Sequence, residues 1–345
     1  MIRFALCFLL FASAAPAQEA VQRFGPEDAA VTLRLRTTTD IAIFAPTVEA
    51  FLDTAPGVAI LYEQWGSNDL YALSREDCAS GRKAADIIIS SAVHQMVKLV
   101  NDRCAASWRS PATQAVPSGL KWRDELWGIT REPAVMVYNR ALVPPDEVPL
   151  TRFDLLDLLR PQDSRYAGRV ATYDIEASGL GFLFAFIDSQ EASTFGALME
   201  TFARTGAIAT CCSAEIIGGV IEGDYLIAYN VLGSYARSVA AIDSRLGIVE
   251  PRDYTVVLSR AAMLPGPDVR PEAGAFLDYL VSTEGKIAMA RSFLISGGGE
   301  DESGSDASDN ETARRPIRLS PSLLVAVDQA NATRFIRRWR EVFAQ

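Results

Sequence analysis

The chain has 345 residues, of which 49% are apolar and 22% charged, with 33 Lys+Arg against 43 Asp+Glu and one His. This is a globular composition, long enough to exceed a single hydrophobic core, so two domains are expected. A formal net charge of -10 argues against nucleic acid as a partner, and one His rules out a site built from several His metal ligands.

Met1-Ile2-Arg3, the apolar run from Phe4 to Ala15, and Ala15-Pro16-Ala17 read as a signal peptide cleaved after Ala17. The run is too short to span a bilayer. The mature chain is expected to be exported to the periplasm as a monomer. It keeps Cys78, Cys104, Cys211 and Cys212, for which three pairings are possible. Cys78 and Cys104 flank one strand–helix unit, which makes a disulfide between them plausible. For Cys211-Cys212, two thiols at a helix start are preferred to a vicinal disulfide. Neither pair has the C-x2-C type of spacing, so no metal site is expected.

Strands and helices then alternate. Val31–Leu35 is a strand, followed by a helix with Phe44, Val48, Phe51 and Leu52 on one face, stopped by Pro56-Gly57. Val58–Tyr62 and the nearly all-apolar Asp86–Ile89 are further strands, the second reading as a parallel strand covered on both faces. A helix with Met96, Leu99 and Val100 inward follows. Thr151-Arg152-Phe153-Asp154 is a capping box. Arg169–Thr172, Ala207–Thr210 and Tyr225–Tyr229 are strands, each followed by a helix start. The βαβα order implies parallel sheets with helices on both faces.

Two extended apolar segments, 129–139 and 254–265, are candidate crossovers between lobes. Pro133 cannot donate to a ladder, which suits a strand leaving one sheet for another. The boundaries expected are 28–131 plus 260–345 for lobe 1 and 134–255 for lobe 2, with 297–314 a flexible acidic loop. The last helix, with Phe335, Ile336, Trp339 and Phe343 on one face, is expected to dock on the fold.

No nucleophile elbow, phosphate loop, H-E-x-x-H or G-x-G-x-x-G motif is present, and no catalytic residue or cofactor is assigned. Small polar residues instead follow the strands where helices begin. Thr38 and Thr39 follow the first strand. Ser67 and Asn68 follow Trp65. Ser90 and Ser91 follow Asp86–Ile89. Ser178 and Gly179 follow Tyr173, and Ser234 and Tyr235 follow Tyr225–Asn230. In α/β sheets this edge is the ligand crevice, and free N–H groups at helix starts favour an anion. The same residue types cap helices everywhere, so for any one position plain capping is an even alternative. Arg131 in the first crossover is a candidate clamp on phosphate or carboxylate, or a surface partner of Glu132. Trp65 either stacks on a ligand or packs.

These segments carry a family resemblance. Ala85–Ser91, Trp127–Pro133 running to Tyr138-Asn139, Tyr173-Asp174 with Ser178–Gly181, Tyr229–Tyr235, and Ala275–Leu277 with Ser282–Lys286 resemble a periplasmic solute-binding protein of bacterial ABC transporters, in the group that contains ferric-ion binders. Arg315–Leu319, Leu323–Val325 and Arg334–Arg340 resemble the branch of the phosphoglycerate transport regulatory protein. The resemblance implies an α/β, two-lobed type II periplasmic binding protein fold, with parallel-rich sheets joined by two hinge strands. It implies a small anionic solute, phosphorylated or carboxylated, and an inner-membrane ABC permease or a sensor histidine kinase as partner. Family ferric binders use adjacent tyrosines where this chain has Ser234-Tyr235. Losing one phenolate weakens an iron reading, though Tyr173, Tyr225 and Tyr229 are candidate substitutes.

Overall fold

The computed structural model describes residues 18–191, 193–296 and 313–343. The expected signal peptide and nearly all of the expected acidic loop lie outside these residues. Among the described residues no helix is long and apolar enough to cross a membrane.

Two sheets form the scaffold. The first runs Gln18–Phe24, Val58–Trp65, Val31–Thr37, Ile87–Ser90, Ala261–Met263, Leu126–Gly128, Lys121–Trp122 in spatial order. Val31–Thr37 pairs in parallel with both Val58–Trp65 and Ile87–Ser90. The three isoleucines of Ile87–Ser90 are buried because this strand lies inside the sheet with helices on its faces. The second sheet runs Arg314–Pro316, Thr255–Leu258, Glu132–Asn139, Ile227–Leu232, Val170–Tyr173, Ile208–Thr210, with Leu246–Val249 also on Glu132–Asn139. Its parallel centre is Ile227–Leu232, Val170–Tyr173 and Ile208–Thr210.

Both expected crossovers are found. Leu126–Gly128 belongs to the first sheet and Glu132–Asn139 to the second; Thr255–Leu258 belongs to the second and Ala261–Met263 to the first. The two hinge strands are antiparallel, with Val257 opposite Pro133 and Leu258 opposite Glu132. Pro133 therefore stands near the start of its strand, just after the chain leaves the first sheet.

Three apolar clusters hold the molecule together. One lies in the first lobe around Phe44, Tyr62, Trp127 and Phe276. One lies in the second lobe around Leu155, Phe195, Phe202 and Tyr229. The third joins them, with Leu70, Val93 and Met96 from the first lobe beside Leu180, Leu183 and Tyr235 from the second. The lobes thus share apolar surface as well as hinge strands.

Two sequence expectations need correction. Gln18–Phe24 is a strand, antiparallel to Val58–Trp65, ahead of the expected start of the lobe. The C-terminal run does not stay with the first lobe: Arg314–Pro316 pairs in parallel with Thr255–Val257 of the second sheet. Leu319 N then donates to Gly119 O of the first lobe at 2.9 Å. Leu324–Val327 packs on helix Val93–Asn101, and Gln329–Phe343 docks on helix Phe195–Thr205 of the second lobe. There Phe335 meets the rings of Phe182, Phe186 and Phe195, and Trp339 is buried. The docking follows from the apolar stripe of that helix.

Cys78 and Cys104 are bonded, with Cα atoms 5.4 Å apart. Cys211 and Cys212 are bonded as well, which replaces the expected pair of thiols with a vicinal disulfide.

Candidate functional site

The strand ends that carry small polar residues meet between the lobes. From the first lobe come the starts of helices Ile41–Leu52, Ser67–Ser80 and Val93–Asn101; from the second come those of Gly179–Glu191 and Gly233–Ala240. Side-chain caps are present at some helix starts and absent at others, within this group and outside it: Phe195–Thr205, Ser213–Glu222 and Pro271–Val281 also lack one. Ser110, Thr151 and Ser282 each cap a helix away from the cleft through a side-chain oxygen. No N-cap side chain does so for Ile41–Leu52, Ser67–Ser80, Val93–Asn101 or Gly233–Ala240. The first four N–H groups of any helix lack intrahelical partners; here Ile41 N is taken by Gln64 Oε1 at 3.0 Å and Val93 N by the Ser91 carbonyl at 2.9 Å. Ser178 is the exception, accepting from Gly181 N at 3.0 Å as a plain cap.

Some of those donors are taken across the cleft. Asp40 N donates to the Tyr235 hydroxyl at 3.1 Å, and that hydroxyl donates to the Asp40 carboxylate at 2.8 Å. Gly179 N donates to Ser67 Oγ at 2.9 Å. Asn68 Nδ2 donates to the carbonyls of Glu176 and Ala177, at 2.8 and 3.1 Å. Gln95 Nε2 donates to Asn68 Oδ1 at 2.8 Å, and a Cβ on Gly179 would come within 2.8 Å of that same Gln95 nitrogen. Gly179 is thus the point of closest approach between these helices.

A buried ion pair stands where the hinge strands cross. Glu132 is 0% exposed and Arg260 1% exposed. Arg260 Nε donates to Glu132 at 2.9 Å, and Nη1 donates to Thr39 Oγ1 at 3.0 Å and to the Thr38 carbonyl at 3.3 Å. Thr130 Oγ1 donates to Glu132 at 2.6 Å, and Ser234 Oγ donates to its other oxygen. One carboxylate–guanidinium pair therefore ties both hinge strands to Thr39 of the first lobe and Ser234 of the second. Burial alone would lower the Arg260 pKa, but the Glu132 carboxylate together with the Tyr235 and Tyr62 phenols offsets it and holds the group above its ordinary value.

The remaining expected residues fall as follows. Thr38 and Ser91 join hands: their hydroxyls are 3.1 Å apart, and Ser91 N donates to Thr38 Oγ1 at 3.0 Å. Ser90 Oγ accepts from Ala92 N at 3.1 Å, a local turn contact. Trp65 is buried in the shared apolar cluster, its Nε1 3.4 Å from Glu63. Tyr173 bonds Ser213 and accepts from Leu232 N at 3.3 Å, behind the start of helix Gly233–Ala240. Arg131 is fixed by its backbone to Leu294 and Ser296. Arg260 is the arginine bonded to the Thr39 hydroxyl. Arg260 and Glu132 were missed as a pair because they are 128 positions apart and only the hinge register, Leu258 opposite Glu132, brings them together.

Phenols in this region are poor sources of tyrosinate. Burial pushes Tyr173 up to about 12, and burial raises Tyr235 well above the ordinary range despite Arg260 beside it. Tyr229 belongs to another network inside the second lobe, donating to Asp188 at 2.7 Å and accepting from Arg152 at 2.6 Å. Tyr225 packs on Gly219. Among the described residues, the His, Cys, Asp and Glu ligand atoms that converge are those of Cys211, Cys212 and Glu215, at the start of helix Ser213–Glu222.

The family profile of bacterial extracellular solute-binding proteins matches residues 82–316. The substrate-binding protein of an ABC transporter from Agrobacterium tumefaciens is 32% identical, with a TM-score of 0.88 over 95% of this chain and 99% of that one. The chain is a bacterial extracellular solute-binding protein. The fold also matches iron-bound HitA of Pseudomonas aeruginosa, at 17% identity and TM-score 0.69 over 90% of this chain and 99% of that one. AfuA of Actinobacillus pleuropneumoniae, with fructose-6-phosphate bound, matches at 11% identity and TM-score 0.68, over 92% and 99%. No curated protein matches in sequence. This extracellular solute-binding protein accordingly works in the periplasm, taking a small ligand for the membrane permease of an ABC importer.

Proposed function

We propose that the ligand is a small anion, phosphorylated or carboxylated, held between the lobes and handed to an inner-membrane ABC permease. The observation that carries this reading is the meeting of helix starts from both lobes at Asp40, Ser67, Gly179 and Tyr235, since the N-terminal end of a helix favours negative charge. Thr38, Thr39, Ser67 and Ser91 from the first lobe add hydroxyls at the same place, while Asn68, Ser234 and Tyr235 would turn to the anion only by leaving the Glu176 and Ala177 carbonyls, Glu132 and Asp40. Arg260 is already paired with Glu132, so its charge is balanced. The anion is then held mainly by uncharged donors, and binding depends weakly on salt.

The test is a thermal-shift and calorimetric screen of residues 18–345 against phosphoglycerates, sugar phosphates, di- and tricarboxylates and ferric citrate. A ligand that binds only the folded state raises the melting temperature by mass action. A shift confined to one anion class supports the reading. A shift with ferric ion alone, with a visible charge-transfer colour, would replace it by an iron carrier using Tyr235. No shift with any anion would move the weight to a docking role beside a sensor kinase.

A further inference from the structure

The two disulfides differ in what they do for the fold. Cys78–Cys104 has a sequence separation of 26, and closing such a loop restricts the unfolded chain. Cys211–Cys212 has a separation of 1 and closes only an eight-membered ring, which removes almost nothing from the unfolded ensemble. Its presence is therefore not accounted for by stability. It also sits where chemistry can reach it: Cys212 is exposed, and Cys211 half-buried. Cys212 is the N-cap of helix Ser213–Glu222, so both sulfurs lie at the positive end of a helix, where thiolates are favoured.

A carboxylate completes the cluster. Glu215 Oε2 is 3.2 Å from Cys211 Sγ, and the three ligand atoms lie within 4.8 Å of one another. A disulfide sulfur carries no hydrogen, so this carboxylate–sulfur approach gains no hydrogen bond in the oxidised form. A proton or a cation between the two would satisfy both.

We propose that Cys211, Cys212 and Glu215 form a redox-gated site for a thiophilic divalent cation such as Zn²⁺ or Cd²⁺. An external dithiol reduces the Cys211–Cys212 bond, transferring two electrons and two protons and becoming a disulfide itself. The cation then displaces both thiol protons and binds two thiolates and the Glu215 carboxylate, leaving a fourth position to water. Sulfur donors with one carboxylate suit this class of ion. Re-oxidation removes the thiolates and releases it. None of its three side chains is among those assigned to the solute.

The mature chain is reduced with dithiothreitol, freed of it by gel filtration under nitrogen, and titrated with Cd²⁺. The expected result is one equivalent bound, with sulfur-to-cadmium charge-transfer absorption in the near ultraviolet, and none in the oxidised chain. Glu215→Gln, at an exposed position, weakens that binding by about tenfold while keeping the absorption band. Absence of the band in the reduced chain overturns the proposal. So does a band of equal strength in the Cys211→Ser/Cys212→Ser double variant, which would place the ion on Cys78 and Cys104.

Discussion

Acidification should destabilise this protein through one residue, His94. It is the single histidine of the chain, 2% exposed, with no partner for its Nδ1 among the described residues. Its ring stacks on Phe182 of the opposite lobe, with centroids 5.5 Å apart and planes at 15°. Burial lowers its pKa from 6.5 to about 3. The folded protein therefore keeps His94 neutral where the unfolded chain binds a proton. The stability this represents is complete above pH 6.5 and is lost as the pH falls from there toward 3. Each pH unit in that window costs about 1.4 kcal/mol, so about 2 kcal/mol is gone at pH 5. Urea unfolding of residues 18–345 at pH 7.5, 6 and 5 measures the loss, and His94→Leu should remove about that much of the slope. The imidazole proton signal of the folded protein should hold still from pH 8 to 5. A folded-state midpoint near 6.5, or a His94→Leu variant with an unchanged pH slope, would refute the assignment.

Other outcomes follow from the same structure. Glu132→Ala strands the buried Arg260 charge and should cost about 3–5 kcal/mol in denaturant titrations, with Arg260→Ala on top adding less than its own single effect. Gly179→Ala forces a Cβ onto Gln95 and Asn68, so the lobes should sit farther apart. Small-angle scattering should then give a larger radius of gyration, with weaker ligand binding and little change in the unfolding midpoint of each lobe. Removing Cys78–Cys104 by paired serine substitutions should cost about 3.5 kcal/mol, whereas removing Cys211–Cys212 should leave the denaturation midpoint almost unmoved. Tyr235→Phe loses the hydroxyl shared with Asp40, and about 1 kcal/mol with it, read in the same titration.

Local pattern made much of this architecture legible. The apolar run at Ile87–Ile89 announces a strand covered on both faces, and Pro133 marks where a strand must change sheets. The capping box at Thr151 and Asp154 forms as its spacing indicates. Helix starts at the cleft were readable as polar residues after strands, but capping and ligand binding use the same residue types. Even the observed caps do not separate the two uses, since they are absent at Thr194 and Arg270 as well as at Gly66 and Ala92; the contacts between lobes at Ser67, Gly179 and Tyr235 do. Gln18–Phe24 was not readable because an edge strand exposed along most of its length has no apolar alternation to display. The C-terminal run was misplaced because its apolar residues tell that it docks and not on which lobe. Arg260 and Glu132 carry no local signature, since their pairing belongs to the register of two distant strands.

The position of Ala261–Met263 has a consequence for how the protein is made. This strand lies between Ile87–Ser90 and Leu126–Gly128, so the first sheet is interrupted until the chain has been delivered past Met263. The second lobe is built largely from the intervening stretch and has most of its partners earlier. During export the first lobe therefore waits with Ile88 and Ile89 on an unfilled strand edge, the kind of surface on which chains join each other. Late arrival of Ala261, Ala262 and Met263, rather than the assembly of either core, sets the time for which the nascent protein needs protection.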